Sequence, residues 1–220
     1  MLHAMTLVLA TAVQVSGAQP GVDAIAPRTV KGSPATFDLA GFRLGMTEAD
    51  AEQVVRRRGM TVRRRTRART FEDRVREVVT LRGGKLPPRG GSVLDDADLE
   101  DGTGGRIIIR LLAWPDGARI RSVTYLPPAG TPADAWRSRL VERFGPPSRD
   151  SGSIDEDGLH ARWCGQALCL GEGSVFRLTA DVGPRGGQIV LSQPEGTSRK
   201  VTVLVEEAAA SRIPDRRPAF

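Results

Sequence analysis

Thr47-Glu48-Ala49-Asp50-Ala51 returns 84 residues later as Thr131-Pro132-Ala133-Asp134-Ala135, and each copy runs into a basic, apolar-periodic segment ending at a glycine, Gly59 or Gly145. Both copies spell a helix. Thr47 and Thr131 are placed to N-cap, Asp50 and Asp134 stand at the third helical position of a capping box, and their charge suits the positive helix N-terminus. Pro132 fits the first helical turn, where its missing N–H costs nothing. Ala51, Val54 and Val55 form one apolar face. Trp136, Leu140 and Phe144 form the other at i, i+4, i+8 spacing, and the glycines are natural stops.

Strands follow each helix. Arg106 to Trp114 is β-branched and apolar, and Asp116-Gly117 turns it into Arg119 to Leu126, the strongest hairpin signal in the chain. In the second half Leu159 to Cys164, Val175 to Val182, Gln188 to Gln193 and Lys200 to Glu206 are four shorter strand candidates separated by Gly, Pro and Ser. Phe71 to Leu81 fits a helix about as well as a strand. The pattern predicts an α+β fold of two tandem helix-plus-antiparallel-strand repeats, forming one sheet or two apposed sheets. The first repeat spans residues 37–128 and the second 129–210. A flexible leader precedes them at 19–36, where Pro20, Pro27 and Pro34 accompany Gly21 and Gly32, and a frayed tail follows at 211–220.

Phe42-Arg43-Leu44-Gly45-Met46-Thr47, with a helix behind it, resembles the Gly-Met-Thr helix start of the small outer-membrane assembly lipoproteins of the SmpA/OmlA type. Phe144-Gly145-Pro146-Pro147 resembles the Leu-Gly-x-Pro that closes such a helix. The second copy has Ala129-Gly130-Thr131 in place of Gly-Met-Thr, and no Cys stands directly after the cleavage site expected behind Ala18 to carry a lipid, so membrane anchoring is not implied. The tandem arrangement is similar to the beta-lactamase inhibitor proteins. That resemblance implies one concave sheet built from two α/β repeats, with a protein partner bound on it.

Met1 to Ala18 contains no Lys, Arg, Asp or Glu, and Thr6 to Val15 is an almost unbroken apolar stretch ending in Ser16-Gly17-Ala18. This predicts a secretory signal peptide over residues 1–18, cut before Gln19, and an apolar run too short to span a bilayer of ~30 Å. A buried N-terminal helix is the competing reading, because the basic region that usually opens a signal is missing. No other segment approaches bilayer length, so no stable membrane insertion is expected. In an oxidising periplasmic or secreted setting, Cys164 and Cys169, the two cysteines of the chain, are expected to form a disulfide. A metal site on His160, Cys164 and Cys169 is the alternative, though it lacks a fourth ligand.

The remaining chemistry is narrowed by what the motifs fail to match. His160 is the sole histidine after the signal, and no Ser sits in a G-x-S-x-G elbow. Asp96-Ala97-Asp98-Leu99-Glu100 begins like a calcium loop, but Asp101 falls where the sixth-position glycine belongs and Ile107 where the closing Glu belongs. Arg82-Gly83-Gly84-Lys85 and Gly171-Glu172-Gly173 match neither a P-loop nor a dinucleotide fingerprint, so no cofactor is implied. The formal charge of +6 is concentrated: residues 56–76 hold ten Arg against Glu72 and Asp73, while residues 95–101 hold five acids. If Met60 to Phe71 is extended, Arg63, Arg65, Arg67 and Arg69 share one face at about 7 Å intervals. That ladder is a candidate surface for a protein or an anionic envelope component, gripped bidentately. The bland alternative is an edge strand guarded by charge. Nucleic acid is disfavoured by the compartment and by an aromatic content of 5%. The sequence thus favours an exported, non-enzymatic binding module of the cell envelope, against a hydrolase using carboxylates that sequence alone does not reveal. Mass measurement of exported material should give a chain beginning at Gln19; an intact Met1 terminus would defeat the export reading.

Overall fold

A capping box starts the first helix, as the Thr-x-x-Asp spacing requires. In the computed structural model, which describes residues 32–86, 91–130, 132–148, 153–155, 158–164, 169, 175–183 and 185–213, Thr47 Oγ1 accepts from the Asp50 N–H at 3.2 Å. Asp50 accepts in return from the Thr47 N–H at 3.1 Å. Helix α1 runs Glu48–Arg58 and ends at Gly59, whose φ of 61° is left-handed. The residues before it are tied to the middle of the sheet. Gly45 N–H donates to the Ile120 carbonyl and Ile120 N–H to the Met46 carbonyl, both at 2.8 Å.

The sheet that receives α1 has eight antiparallel strands. In chain order they are β3 (Thr61–Arg69), β4 (Ser92–Glu100), β5 (Arg106–Trp114), β6 (Gly117–Leu126), β7 (Ser153–Asp155), β8 (Gly158–Trp163), β9 (Arg177–Gly183) and β10 (Gly186–Ser192). A small hairpin, β1 (Asp38–Leu39) and β2 (Phe42–Arg43), precedes α1. The spatial order is β3-β4-β5-β6-β10-β9-β8-β7, which reads as two four-strand meanders joined last strand to last strand. Each meander follows a helix: α1 in the first half and α3 (Ala133–Phe144) in the second. The α+β fold and the tandem helix-plus-strand plan are therefore present, in a single continuous sheet.

Alternation along the strands sorts the core. Ile107, Ile109 and Leu111 of β5, Leu178, Ala180 and Val182 of β9, and Ile189 and Leu191 of β10 lie under α1 and α3. They pack with Ala51 and Val54 of α1 and with Leu140 and Phe144 of α3. Phe37 stacks on Phe144 with ring centroids 4.5 Å apart, and the Trp163 indole N–H donates to the Gly145 carbonyl at 2.8 Å. Opposite this layer, α2 (Phe71–Leu81) and α4 (Gly196–Ala210) pair through Val75, Val79, Val201 and Val205, partly covering Leu112 and Trp114.

Several elements differ from expectation. Lys200–Glu206 belongs to α4, not to a strand. Its β-branched run has strand propensity, but Val201, Val205 and Ala209 recur at helical spacing and are buried against α2, so tertiary packing overrides local preference. The same partnership resolves Phe71–Leu81 as helix. Residues 95–100, read from their acids as a failed calcium loop, form most of β4, with Leu94, Ala97 and Leu99 buried. Pro132 is the cap residue of α3 rather than part of its first turn, with extended ψ of 143° and no side-chain cap bond; Thr131 lies outside the described residues. Pro34–Thr36 form a short 3-10 turn capped by Ser33 with Pro34 buried, so described structure starts ahead of Phe37. The proposed signal, residues 19–31 and the tail from 214 also lie outside the described residues. Cys164 and Cys169 are joined by a disulfide, with Cα atoms 5.6 Å apart, which leaves neither sulfur as a metal ligand. Among the described residues, no helix is long and apolar enough to cross a membrane.

Among the described residues, Asp98 on β4 is the one buried carboxylate of the sheet, 4% exposed. Arg106 grips it with two hydrogen bonds of 2.7 and 2.5 Å. Those bonds hold the Asp98 carboxyl below the usual carboxylate range, against the opposing effect of burial, with Arg63 and Arg64 adding charge attraction. A lowered folded pKa means that the stabilisation is complete above the unfolded value and fades as pH falls through the folded one. Arg106 is half exposed, so the pair falls short of a fully buried one. Asp98→Asn should cost about 1–3 kcal/mol at neutral pH. Denaturant unfolding should show that deficit closing below about pH 4 as the native carboxyl protonates.

Candidate functional site: the open sheet face at the seam

Where the halves meet, β6 pairs with β10 through Tyr125↔Ile189, Thr124↔Val190, Val123↔Leu191 and Ser122↔Ser192. Directly opposed residues in a sheet point to the same face. Arg110↔Ser122, Ser122↔Ser192 and Ser192↔Arg177 therefore build one row across the seam, with serines at the centre and an arginine outside each, and Arg110 in turn faces Asp96 of β4. Three strand spacings put the outer Cα atoms about 14 Å apart. The next row along the strands is Ile108, Thr124, Val190 and Thr179. Alternation places both rows on the face away from α1 and α3, and α2 and α4 cover only one end of it.

Arg121 joins the first row from a bulge. Register slips between Arg110↔Ser122 and Leu111↔Ile120, leaving Arg121 as the extra residue. The bulge is held because Ile120 is engaged by Gly45 and Met46, while the Arg121 carbonyl accepts from Gln193 N–H at 2.9 Å. The rows and the start of α4 enclose a cavity of about 430 Å³, lined by Arg110, Arg121, Arg177, Ser192, Gln193 and Thr197 among others. Arg177 is paired with Glu195 at 2.9 Å. Arg110 and Arg121 have no carboxylate within 4 Å among the described residues; the nearest thing to a partner is Ser198 Oγ, 3.5 Å from Arg121. The cap position of helix α4 is Glu195, whose carboxylate lines the same cavity and is held by Arg177. Gln193 Oε1 is buried beside it without a donor.

The arginines expected as a ladder sit elsewhere. They lie on β3, which is extended as anticipated and is the outermost strand. Register shifts between Val62 and Arg64 and between Thr66 and Arg67 interrupt the alternation. Each guanidinium is occupied: Arg63 with Glu100 at 2.6 Å, Arg65 with Glu52 at 3.4 Å, Arg67 with Glu48 at 2.9 Å and Arg69 with Glu77 at 2.5 Å. Arg65 and Arg67 remain exposed but reach across to α1, where Glu48 and Glu52 are one helical turn apart. Arg64, outside the expected set, faces Asp96 at 3.6 Å. His160 Nδ1 lies 3.1 Å from Asp181 Oδ1 near the far edge.

The described carboxylates that depart from their ordinary acidity all move downward. Asp73 and Glu77 are held low chiefly by hydrogen bonds from Thr70 and Arg69 respectively. For Asp101, burial pushes upward but bonds from Thr103, Gly105 and Tyr125 outweigh it. A general acid for hydrolysis at neutral pH needs the opposite shift. Comparison with family models, with curated proteins and with solved structures gave no match.

The sequence did carry a signal for the open-face arginines. Arg106 and Arg110 occupy alternate positions of an otherwise Ile- and Leu-rich strand, which marks one face of β5 as uncovered. Replacing Arg63, Arg65, Arg67 and Arg69 together by Gln should leave the fold intact, since exposed ion pairs contribute about 0–1 kcal/mol each. Light scattering should nonetheless show faster aggregation, because β3 is a nine-residue outer edge whose protection is those charges.

Proposed function

We propose that the chain is an exported, non-enzymatic binding module of the cell envelope, and that its partner is a protein presenting acidic side chains to the open sheet face at the seam. The observation that carries this reading is the contrast between the two arginine sets. On β3 every predicted contact residue is paired within the chain, whereas Arg110 and Arg121 have no carboxylate within 4 Å among the described residues: Glu195, which also lines the cavity, is held by Arg177, and Asp96, opposite Arg110, is engaged by Arg64. Unpaired guanidinium groups positioned by a sheet are pre-organised for bidentate carboxylate recognition. The contact surface therefore moves from the ladder to the seam.

A protein suits this face better than a polyanion. Asp96 and Asp181 interrupt the positive charge on either side, so no continuous basic track exists for a polymer to follow. Half-buried Ile108 and Val190 supply apolar area between the polar groups, the mixture typical of a protein interface. The strand order supports the same proposal, since the resemblance to the beta-lactamase inhibitor proteins implies two repeats sharing one partner-binding sheet. The disulfide is compatible with export.

A photo-crosslinking residue at Thr179, used in the native envelope fraction at low salt, tests the reading. The expected result is a protease-sensitive adduct that fades with salt. It should be lost in Arg110→Gln/Arg121→Gln and retained in the quadruple β3 variant. Undiminished adduct from the double variant would overturn the proposed site, and a protease-resistant adduct would identify a polymer instead.

A further inference from the structure

The opposite face of the seam holds a second cavity, larger than the first at about 680 Å³ and inside the range of small-molecule sites. It arises because α1 lies over β6 while α3 lies over β8 and β9, leaving a gap between the helices beside the Tyr125↔Ile189 pair, where Tyr125 meets Trp136 of α3. Its floor is Leu39, Leu140, Phe144 and Ile189, and its aromatic wall is Tyr125 with Trp136, ring centroids 5.7 Å apart. Arg58, at the end of α1, and Arg139, whose guanidinium lies 5.5 Å over the Trp136 ring, stand at the rim.

The rim charges are unequal in what they have left to offer. Neither Arg58 nor Arg139 has a carboxylate within 4 Å among the described residues. Arg143, also lining the cavity, is held by Asp38 at 2.8 Å. Of the acids, Asp101 accepts from Thr103, Gly105 and Tyr125, and Glu142 is engaged within the chain. Arg58 is also pinned. Gly41, at φ 91°, leaves room for it, and a Cβ there would lie 2.6 Å from its Nε. An apolar floor with two uncommitted cations at its edge selects by charge as well as by hydrophobicity.

We infer that the groove between α1 and α3 binds a small amphipathic anion, with an apolar body against the half-buried rings of Tyr125 and Trp136 and a single carboxylate between Arg58 and Arg139. This site uses the face away from the proposed partner surface and none of its residues, so each stands or fails alone. Decanoate is the probe, titrated into the whole protein and followed by the Trp136 indole N–H resonance. Saturable shifts are expected there and at Tyr125, with decan-1-ol and decyltrimethylammonium bound about tenfold or more weakly. Arg58→Gln/Arg139→Gln should lower decanoate affinity about tenfold while leaving the alcohol within about twofold. If the double variant unfolds, exposed Arg139→Gln alone should show the same selective loss. Equal binding of the three probes, shifts centred on α2 and α4, or arginine variants that bind decanoate as tightly as the native chain would each overturn the site.

Discussion

Four residue pairs between β6 and β10 hold the two halves in one sheet, and the arrangement of both faces follows from them. Joining the last strands of two meanders makes the order palindromic, with α1 over β6 on one side and α3 over β8 and β9 on the other. The two helices leave a gap between them near the junction. Below it, the same pairing aligns Ser122 with Ser192 and sets an arginine outside each serine. Neither cavity belongs to one half alone.

The seam is braced from outside the strands. Gly45 and Met46 bond to Ile120, and Gln193 donates from its backbone to Arg121 and from its side chain to the Ile120 carbonyl at 3.3 Å. Residues 120 and 121 are thus engaged from the start of α1 and from the end of β10 at once. This explains the bulge at Arg121 as a consequence of two competing sets of backbone partners. It also gives the Gly-Met-Thr motif a physical purpose: the segment delivers Thr47 to its cap while lengthening the hydrogen-bonded edge around β6.

Charge is distributed by the same geometry. β3 is an edge, and its arginines find carboxylates on α1, α2 and β4, all close in space though scattered in sequence. β5 and β6 are interior strands whose neighbours across the seam are serines and threonines; Asp96 of β4 stands opposite Arg110 but is engaged by Arg64. The arginines of β3 are therefore paired within the chain, while Arg110 and Arg121 on the interior strands have no carboxylate within 4 Å among the described residues.

Local sequence determined the parts whose partners lie within a few residues: the capping box of α1, the glycine stop at Gly59, the Asp116-Gly117 hairpin, the alternation of β5 and the cysteine pair. These are read from spacing because the interacting groups are near neighbours in the chain. Tertiary structure decided the rest. Val201, Val205 and Ala209 became one face of a helix because α2 offers a matching apolar stripe, and Asp95 to Glu100 became strand because Arg106, Arg63 and Arg64 compensate its acids across β5 and β3. Whether an arginine of β3 is free or neutralised depends on carboxylates 8 to 37 residues away, and no local pattern in a single chain records which distant groups the fold brings within reach.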